Sequence, residues 1–313
     1  MDRCSGGPAM NPHVMAYLRL LRLPTLFTAL ADIFLGFFLN HSTLISDEGP
    51  NLLPSFLLLC LASAGLYLSG MVFNDYFDRL IDAQERPTRP IPSGMISPAS
   101  AFRLAVVLML VGLLASFYAG MPSLLIAMGL CVLILSYDGG MKKTLLGPLV
   151  MGSCRLGNVL LGASAVVSVA DVFQKPQLPI AFGLGTYIVG VTLFARQEAT
   201  DSKRAALLGA ATVINFGVVV LAMFVNKAGL AEQRLPALAI LAMILFSLDR
   251  RLAVAITRPS PQHVQLAIKV LLLSLVVLDA TLIFAFNGRQ ELAIVTVSLL
   301  IPAVGLSRLI AMT

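Results

Sequence analysis

Residues 60–94 read CLASAGLYLSGMVFNDYFDRLIDAQERPTRPIPSG. The first part of this stretch is apolar or small, as a membrane helix requires. The second part places Asp75, Asp78 and Asp82 within eight residues, at the mouth of that helix. The third carries Arg86 and Arg89 among Pro87, Pro90 and Pro92, and ends at Gly94. Carboxylates at membrane depth are expensive and mark functional positions, so the stretch raises the question of what the three acids hold.

The rest of the chain explains why membrane depth is the right frame. Of 313 residues, 58% are hydrophobic and 12% charged, and the mean hydropathy is +0.89. A soluble domain carries about twice that charged fraction. Apolar runs of about 20 residues, enough to cross a bilayer, recur at roughly 20–40, 53–74, 100–119, 122–137, 146–169, 178–196, 205–225, 235–249, 264–286 and 291–311. The expected fold is an all-α, polytopic transmembrane bundle of nine to ten helices, with residues 1–313 as one domain. The opening MDRCSGGPAMNPHV lacks the apolar core of a cleavable signal peptide, so the first span is expected to stay as an anchor.

Lys and Arg in the short loops orient the chain. With the N-terminus inside, 17 basic residues fall on the cytoplasmic side and 4 on the other, and Arg155 lies within a span. The expected location is the plasma (inner) membrane, with the loops 74–99 and 196–204 on the same cytoplasmic face. The net charge of +6 is accounted for by this topology. No basic and aromatic platform for bases is visible, so no nucleic-acid partner is expected. The four cysteines have no metal-like spacing and read as small core residues.

Asp75, Asp78 and Asp82 stand at i, i+3 and i+7, one face of a helix. If the second span continues two turns past Asn74, all three carboxylates point one way, an arrangement that a cation between them makes tolerable. Oxygen-only donors favour a hard divalent ion, Mg²⁺ first. Mg²⁺ takes one or two carboxylates and completes its shell with water and substrate phosphate, and Arg86 and Arg89 offer forked donors for phosphate oxygens. The plain alternative is a solvated helix end with Asp75–Arg79 and Asp82–Arg86 pairs.

N-D-x-x-D-x-x-x-D at Asn74, Asp75, Asp78 and Asp82, followed by Arg89-Pro90-Ile91-Pro92-Ser93-Gly94, resembles the signature of the UbiA superfamily of intramembrane prenyltransferases. The resemblance implies a bundle of nine helices and aspartates that bind Mg²⁺ on the diphosphate of an allylic isoprenoid. The allylic cation then alkylates an acceptor, expected here to be aromatic or quinone-precursor-like and lipophilic, within membrane lipid. It also implies a second acidic motif after the sixth span, for which Glu198 and Asp201 in TLFARQEATDSKR are the candidates for metal and catalysis. Acids are fewer there than the family pattern, and a self-balancing charged loop is the alternative. Tyr137 with Lys142 or Lys143 matches a region that the family places near the diphosphate. Asn158 resembles a polar family position, and Arg22 stands where a basic residue often borders the acceptor pocket, although a headgroup anchor reads the same way. Arg155 is expected to face the bundle interior, towards substrate or paired with Asp138 or Asp32. Asp32 and Asp279 receive no role. The thin second motif, and the run MGSCRLGNVLLG, also resemble an EboC-like subgroup, for which binding or transport of an isoprenoid precursor without transfer is the second expectation.

Overall fold

A computed structural model describes residues 11–45, 51–174, 176–196 and 204–309. Among these residues the chain is helical throughout and contains no strand. The helices are α1 (Pro12–Leu21), α2 (Leu23–Phe38), α3 (Leu53–Glu85), α4 (Pro98–Ala119), α5 (Met121–Gly139), α6 (Gly147–Gly162), α7 (Val169–Val172), α8 (Gln177–Ala195), α9 (Arg204–Ala228), α10 (Ala231–Thr257), α11 (Pro261–Asn287), α12 (Gln290–Ser298) and α13 (Leu300–Leu309). A 3₁₀ turn, Met141–Lys143, joins α5 to α6.

Each of the ten apolar runs is a helix, but not every helix is a full span. Among the described residues, seven stretches are long and apolar enough to cross a bilayer: α3, α4, α5, α8, α9, α11 and the joined α12–α13. The α1–α2 pair, bent by 40°, makes an eighth. The count of nine to ten is therefore corrected to seven or eight on length and composition. The physical reasons are local. Helix α6 has only 16 residues and carries Arg155 in its interior, while α10 carries Asp249, Arg250 and Arg251 within its C-terminal third. Arg155 is covered by neighbouring helices, whereas Arg250 and Arg251 are exposed near the end of α10. The chain is a multi-pass integral membrane protein.

Two features of the packing position the polar side chains of the bundle. Helix α3 runs for 33 residues, well beyond the ~20 that a bilayer needs, so its last turns project past its apolar part. And α2 lies on α6 backbone to backbone. A Cβ placed on Gly36 would come within 2.1 Å of the Val159 carbonyl oxygen, and one on Gly162 within 2.7 Å of the Ile33 carbonyl oxygen. Small residues of this kind let membrane helices approach closely, and here they bring Asp32 against Arg155. Beside Gly36, Phe34, Phe37, Phe38 and Phe56 pack their rings edge to face, which ties the C-terminal end of α2 to the start of α3.

Candidate functional site

Helix α3 continues through Glu85, so Asp75, Asp78 and Asp82 do share one face, turned into the bundle. Asp75 and Asp82 are buried, with relative exposures of 4% and 5%. Neither expected i, i+4 pair forms. Arg79 instead lies over the Tyr76 ring at 4.5 Å and donates to the Tyr76 carbonyl at 2.8 Å. Arg86 caps α3 and is exposed.

The acids are held by cations that come from separate segments. Arg22 Nη2 lies 2.6 Å from Asp75 Oδ1. Arg89 Nη1 bridges Asp75 Oδ1 at 3.3 Å and Asp82 Oδ2 at 2.6 Å. Lys142 Nζ lies 2.7 Å from Asp78 Oδ2 and 3.9 Å from Asp138 Oδ1. Asn74 Nδ2 donates to Asp138 Oδ1 at 2.9 Å, which ties α3 to α5. Arg196, the last described residue of its segment, donates to the Lys142 carbonyl at 2.7 Å. The end of α8 thus meets the aspartate end of α3.

Local backbone explains which cation reaches which acid. Arg22 has φ 47° and ψ 47°, and it is the one non-glycine residue with positive φ among those described. It sits at the bend between α1 and α2, and that left-handed turn aims its side chain at Asp75. Strained backbone of this kind is found where a site over-determines it. Arg89 is buried because the proline-rich segment folds back on itself. The Arg89 amide donates to the Arg86 carbonyl at 3.1 Å, the Ser93 amide to the Arg89 carbonyl at 3.0 Å, and the Ile96 amide to the Pro90 carbonyl at 3.0 Å. Gly94, at φ +76°, closes the turn, and Ser97 caps α4. The 3₁₀ turn presents Lys142 inward and leaves Lys143 exposed.

Among the described residues, no three His, Cys, Asp or Glu side chains lie close enough together to hold a metal ion. Here Asp75 and Asp82 turn to arginines and Asp78 to Lys142. The donor set still fits Mg²⁺, which needs only one or two carboxylates beside phosphate and water. Asp75, Asp78 and Asp82 supply hard oxygens at three successive positions on one face. Glu198 and Asp201 lie outside the described residues.

Behind the acids a cavity of about 420 Å³ enters the bundle. Its mouth is lined by Arg22, Asn74, Tyr137 and Asp138. Its middle is lined by Leu66, Gly70, Met71, Leu130, Ile134, Met151 and Ile188, and its inner end by Thr28, Asp32, Arg155 and Asn158. Tyr137 and Asn158 are therefore in the site, as is Arg22. Arg155 pairs with Asp32 at 2.7 Å, the second of the two partners that were open, and also reaches Asp279 at 3.5 Å. Asn158 donates to Asp32 Oδ2 and to the Ala29 carbonyl, both at 2.8 Å. Sequence reasoning named Asp138 and Asp32 only as possible partners of Arg155 and left Asp279 with none. The available signal was an acid inside or at the end of each of three apolar runs.

The UbiA prenyltransferase family profile matches residues 33–256. The digeranylgeranylglyceryl phosphate synthase of Methanospirillum hungatei is 37% identical over 111 residues, which is 33% of this chain and 40% of that protein. The chain thus matches under half the length of this relative. Among solved structures, a UbiA homologue from Aeropyrum pernix superposes with a TM-score of 0.66 at 19% identity, over 82% of this chain and 96% of that one. A UbiA homologue from Archaeoglobus fulgidus, bound to GPP and Mg²⁺, superposes with a TM-score of 0.58 at 16% identity, over 82% of this chain and 98% of that one.

Proposed function

The chain belongs to the UbiA prenyltransferase family, and on that premise we propose that it transfers a prenyl group from an allylic prenyl diphosphate to a glyceryl phosphate acceptor. The observation that carries this reading is the arrangement of Asp75, Asp78 and Asp82 with Arg22, Arg89 and Lys142 at the mouth of an apolar cavity. Mg²⁺ is the proposed cofactor, supported by the A. fulgidus homologue that holds it with GPP. When bound, Mg²⁺ supplies Lewis-acid neutralisation of charge on the leaving diphosphate.

Asp75, Asp78 and Asp82 would hold the metal, and Glu198 and Asp201 would form the opposite wall. Arg196, beside Lys142, supports that placement. Arg22, Arg89 and Lys142 would turn from the acids to the diphosphate oxygens and stabilise the charge that grows there. Asn74 and Tyr137 border the same space, while Arg86, which is exposed, and Lys143 would attract the anion from solvent. The bond from the allylic carbon to the diphosphate oxygen breaks with its electron pair on the diphosphate. The acceptor oxygen forms the new bond to that carbon and releases its proton to solvent. Leu66, Met71, Leu130 and Ile134 keep water from the electron-poor carbon.

In place of the aromatic or quinone-precursor acceptor expected from the sequence, a glyceryl phosphate is proposed because the related synthase bears that product in its name. The site is placed on the cytoplasmic face of the plasma membrane, with the N-terminus on the same side, on the bias of Lys and Arg. The whole chain is taken as one domain.

The test is diphosphate release by the protein in lipid, with Mg²⁺, allylic diphosphates, and both glyceryl phosphate and aromatic acceptors. Release that needs a glyceryl phosphate and is lost in Asp75→Asn supports the reading. Release with aromatic acceptors alone replaces the acceptor. Tight Mg²⁺-dependent binding with no release for any acceptor moves the assignment to a carrier of isoprenoid precursors.

A further inference from the structure

The cavity is polar at both ends. From Arg22 at its mouth to Asp32 at its inner end is ten residues of α2, about 15 Å at the helical rise, and from Asn74 to Tyr67 along α3 is about 10 Å. The wall between these ends is Leu66, Met71, Leu130, Ile134, Met151 and Ile188. A prenyl tail that starts at the mouth therefore runs through an apolar chamber and meets charge.

The inner end is built, not accidental. Arg155 lies 2.7 Å from Asp32 and 3.5 Å from Asp279, and donates to the Thr28 carbonyl at 2.9 Å. Asn158 is fixed by Asp32, by the Ala29 carbonyl and by the Ser63 hydroxyl, which donates to its Oδ1 at 2.7 Å. Helices α2, α3, α6 and α11 meet there. The cluster has two carboxylates for one guanidinium, and Asp32 and Asp279 are wholly buried. Asp32 and Asp279 also share a side-chain hydrogen bond, and Arg155 Nε lacks a hydrogen-bond partner. A hydrocarbon that meets this paired cluster offers it no hydrogen bond and cannot displace side chains that hold one another, so the chamber ends there.

We propose that Asp32 and Arg155, backed by Asp279, form a polar floor that limits the length of prenyl donor the chamber takes straight. The proposal rests on the prenyl-transfer reading and adds a substrate class to it. An isoprene unit adds four chain bonds, which advance an extended zigzag chain by about 5 Å. The chamber thus accommodates two to three units, the tails of ten- and fifteen-carbon allylic diphosphates. A longer tail must turn out between the helices and gains nothing from the chamber.

The experiment measures binding of non-hydrolysable thio-analogues with five, ten, fifteen and twenty carbons, with Mg²⁺, to the full chain in nanodiscs. The wild type is expected to gain about tenfold in affinity from five to ten carbons and less than about twofold from fifteen to twenty. The neutral variant Asp32→Leu/Arg155→Met/Asp279→Leu removes the floor with no buried charge left over, and its affinity should climb about tenfold further at twenty carbons. Gly70→Leu keeps the floor and narrows the chamber. An added Cβ there meets first Ile134 Cγ2, at 3.3 Å, a side chain of the chamber wall, so the break should move down towards five carbons. This variant decides the matter if the neutral triple fails to fold. Affinity that climbs evenly to twenty carbons in the wild type overturns the floor, as does a break at the same length in every variant. Both results would leave prenyl transfer standing. Failure to bind any analogue would instead remove the prenyl-transfer reading, and the floor with it.

Discussion

Two clusters of acids and bases sit at the two ends of one cavity, and they are built on opposite principles. At the mouth, Asp75, Asp78, Asp82 and Asp138 face Arg22, Arg89 and Lys142, and the side chains of Arg22 and Asp78 keep 31% and 21% of their exposure. At the inner end, Asp32 and Asp279 face Arg155 alone, with no exposure at either acid. At the mouth the Arg22–Asp75 and Lys142–Asp78 pairs each keep one partner open to water, where pairs are worth little and exchange at small cost, while Arg89 between Asp75 and Asp82 is as buried as the inner cluster. The inner cluster cannot exchange, because each buried charge depends on its partner. A site that must release one cation and accept another is placed where water can help. A group that only has to stay put is placed where it cannot.

Five substitutions break or sharpen that contrast. Asp75→Asn removes the acid shared by Arg22 and Arg89 and is expected to lower turnover by about 10³-fold. The thermal midpoint should change little, and comparing turnover with melting in the same preparation checks both halves. Arg155→Leu leaves two carboxylates buried without a cation and should cost about 3 kcal/mol of stability, read as a lower melting midpoint in detergent. Restoration of that midpoint in the neutral triple variant would establish that the loss came from orphaned charge. Lys142→Met frees Asp78 and should raise KM for the donor about tenfold, whereas Lys143→Met should stay within about twofold. Equal effects would mean that the 3₁₀ turn does not select between them. Arg79→Ala removes only contacts with Tyr76 and should cost about 0.5 kcal/mol, within the range of a surface change.

The sequence made the mouth legible and left the inner end dark, for a reason of distance along the chain. Asp75, Asp78 and Asp82 share one helix, so their spacing alone declares a common face, and α3 runs far enough to realise it. Asp32, Arg155 and Asp279 belong to α2, α6 and α11. Their meeting depends on helix order and on the close approach of α2 and α6 at Gly36 and Gly162, which no local period records. Between these extremes lie the choices within loops. Arg89 rather than Arg86, and Lys142 rather than Lys143, enter the site because of hydrogen-bonded turns at 86–96 and 140–144. Composition cannot tell neighbouring basic residues apart. Arg22 read equally well as a headgroup anchor, and only its left-handed backbone sends it to Asp75. The ten helical segments were visible as apolar runs, but α6 is short and holds Arg155 against neighbouring helices, and α10 carries Arg250 and Arg251 exposed near its end. Glu198 and Asp201 lie outside the described residues.

The bend at Arg22 has a consequence for how this residue can be interrogated. A left-handed conformation costs an L-residue about 1–2 kcal/mol, and glycine escapes most of that cost. An alanine at position 22 would lose the guanidinium while keeping the unfavourable backbone. A glycine would lose the guanidinium and relax the backbone at the same time. The difference between those two variants isolates the conformational energy held in the bend, and the difference between alanine and lysine isolates the contribution of a cation without the guanidinium fork. Position 22 therefore works as a built-in gauge, in which one residue number separates the strain of the chain's own geometry from the effect of its charge.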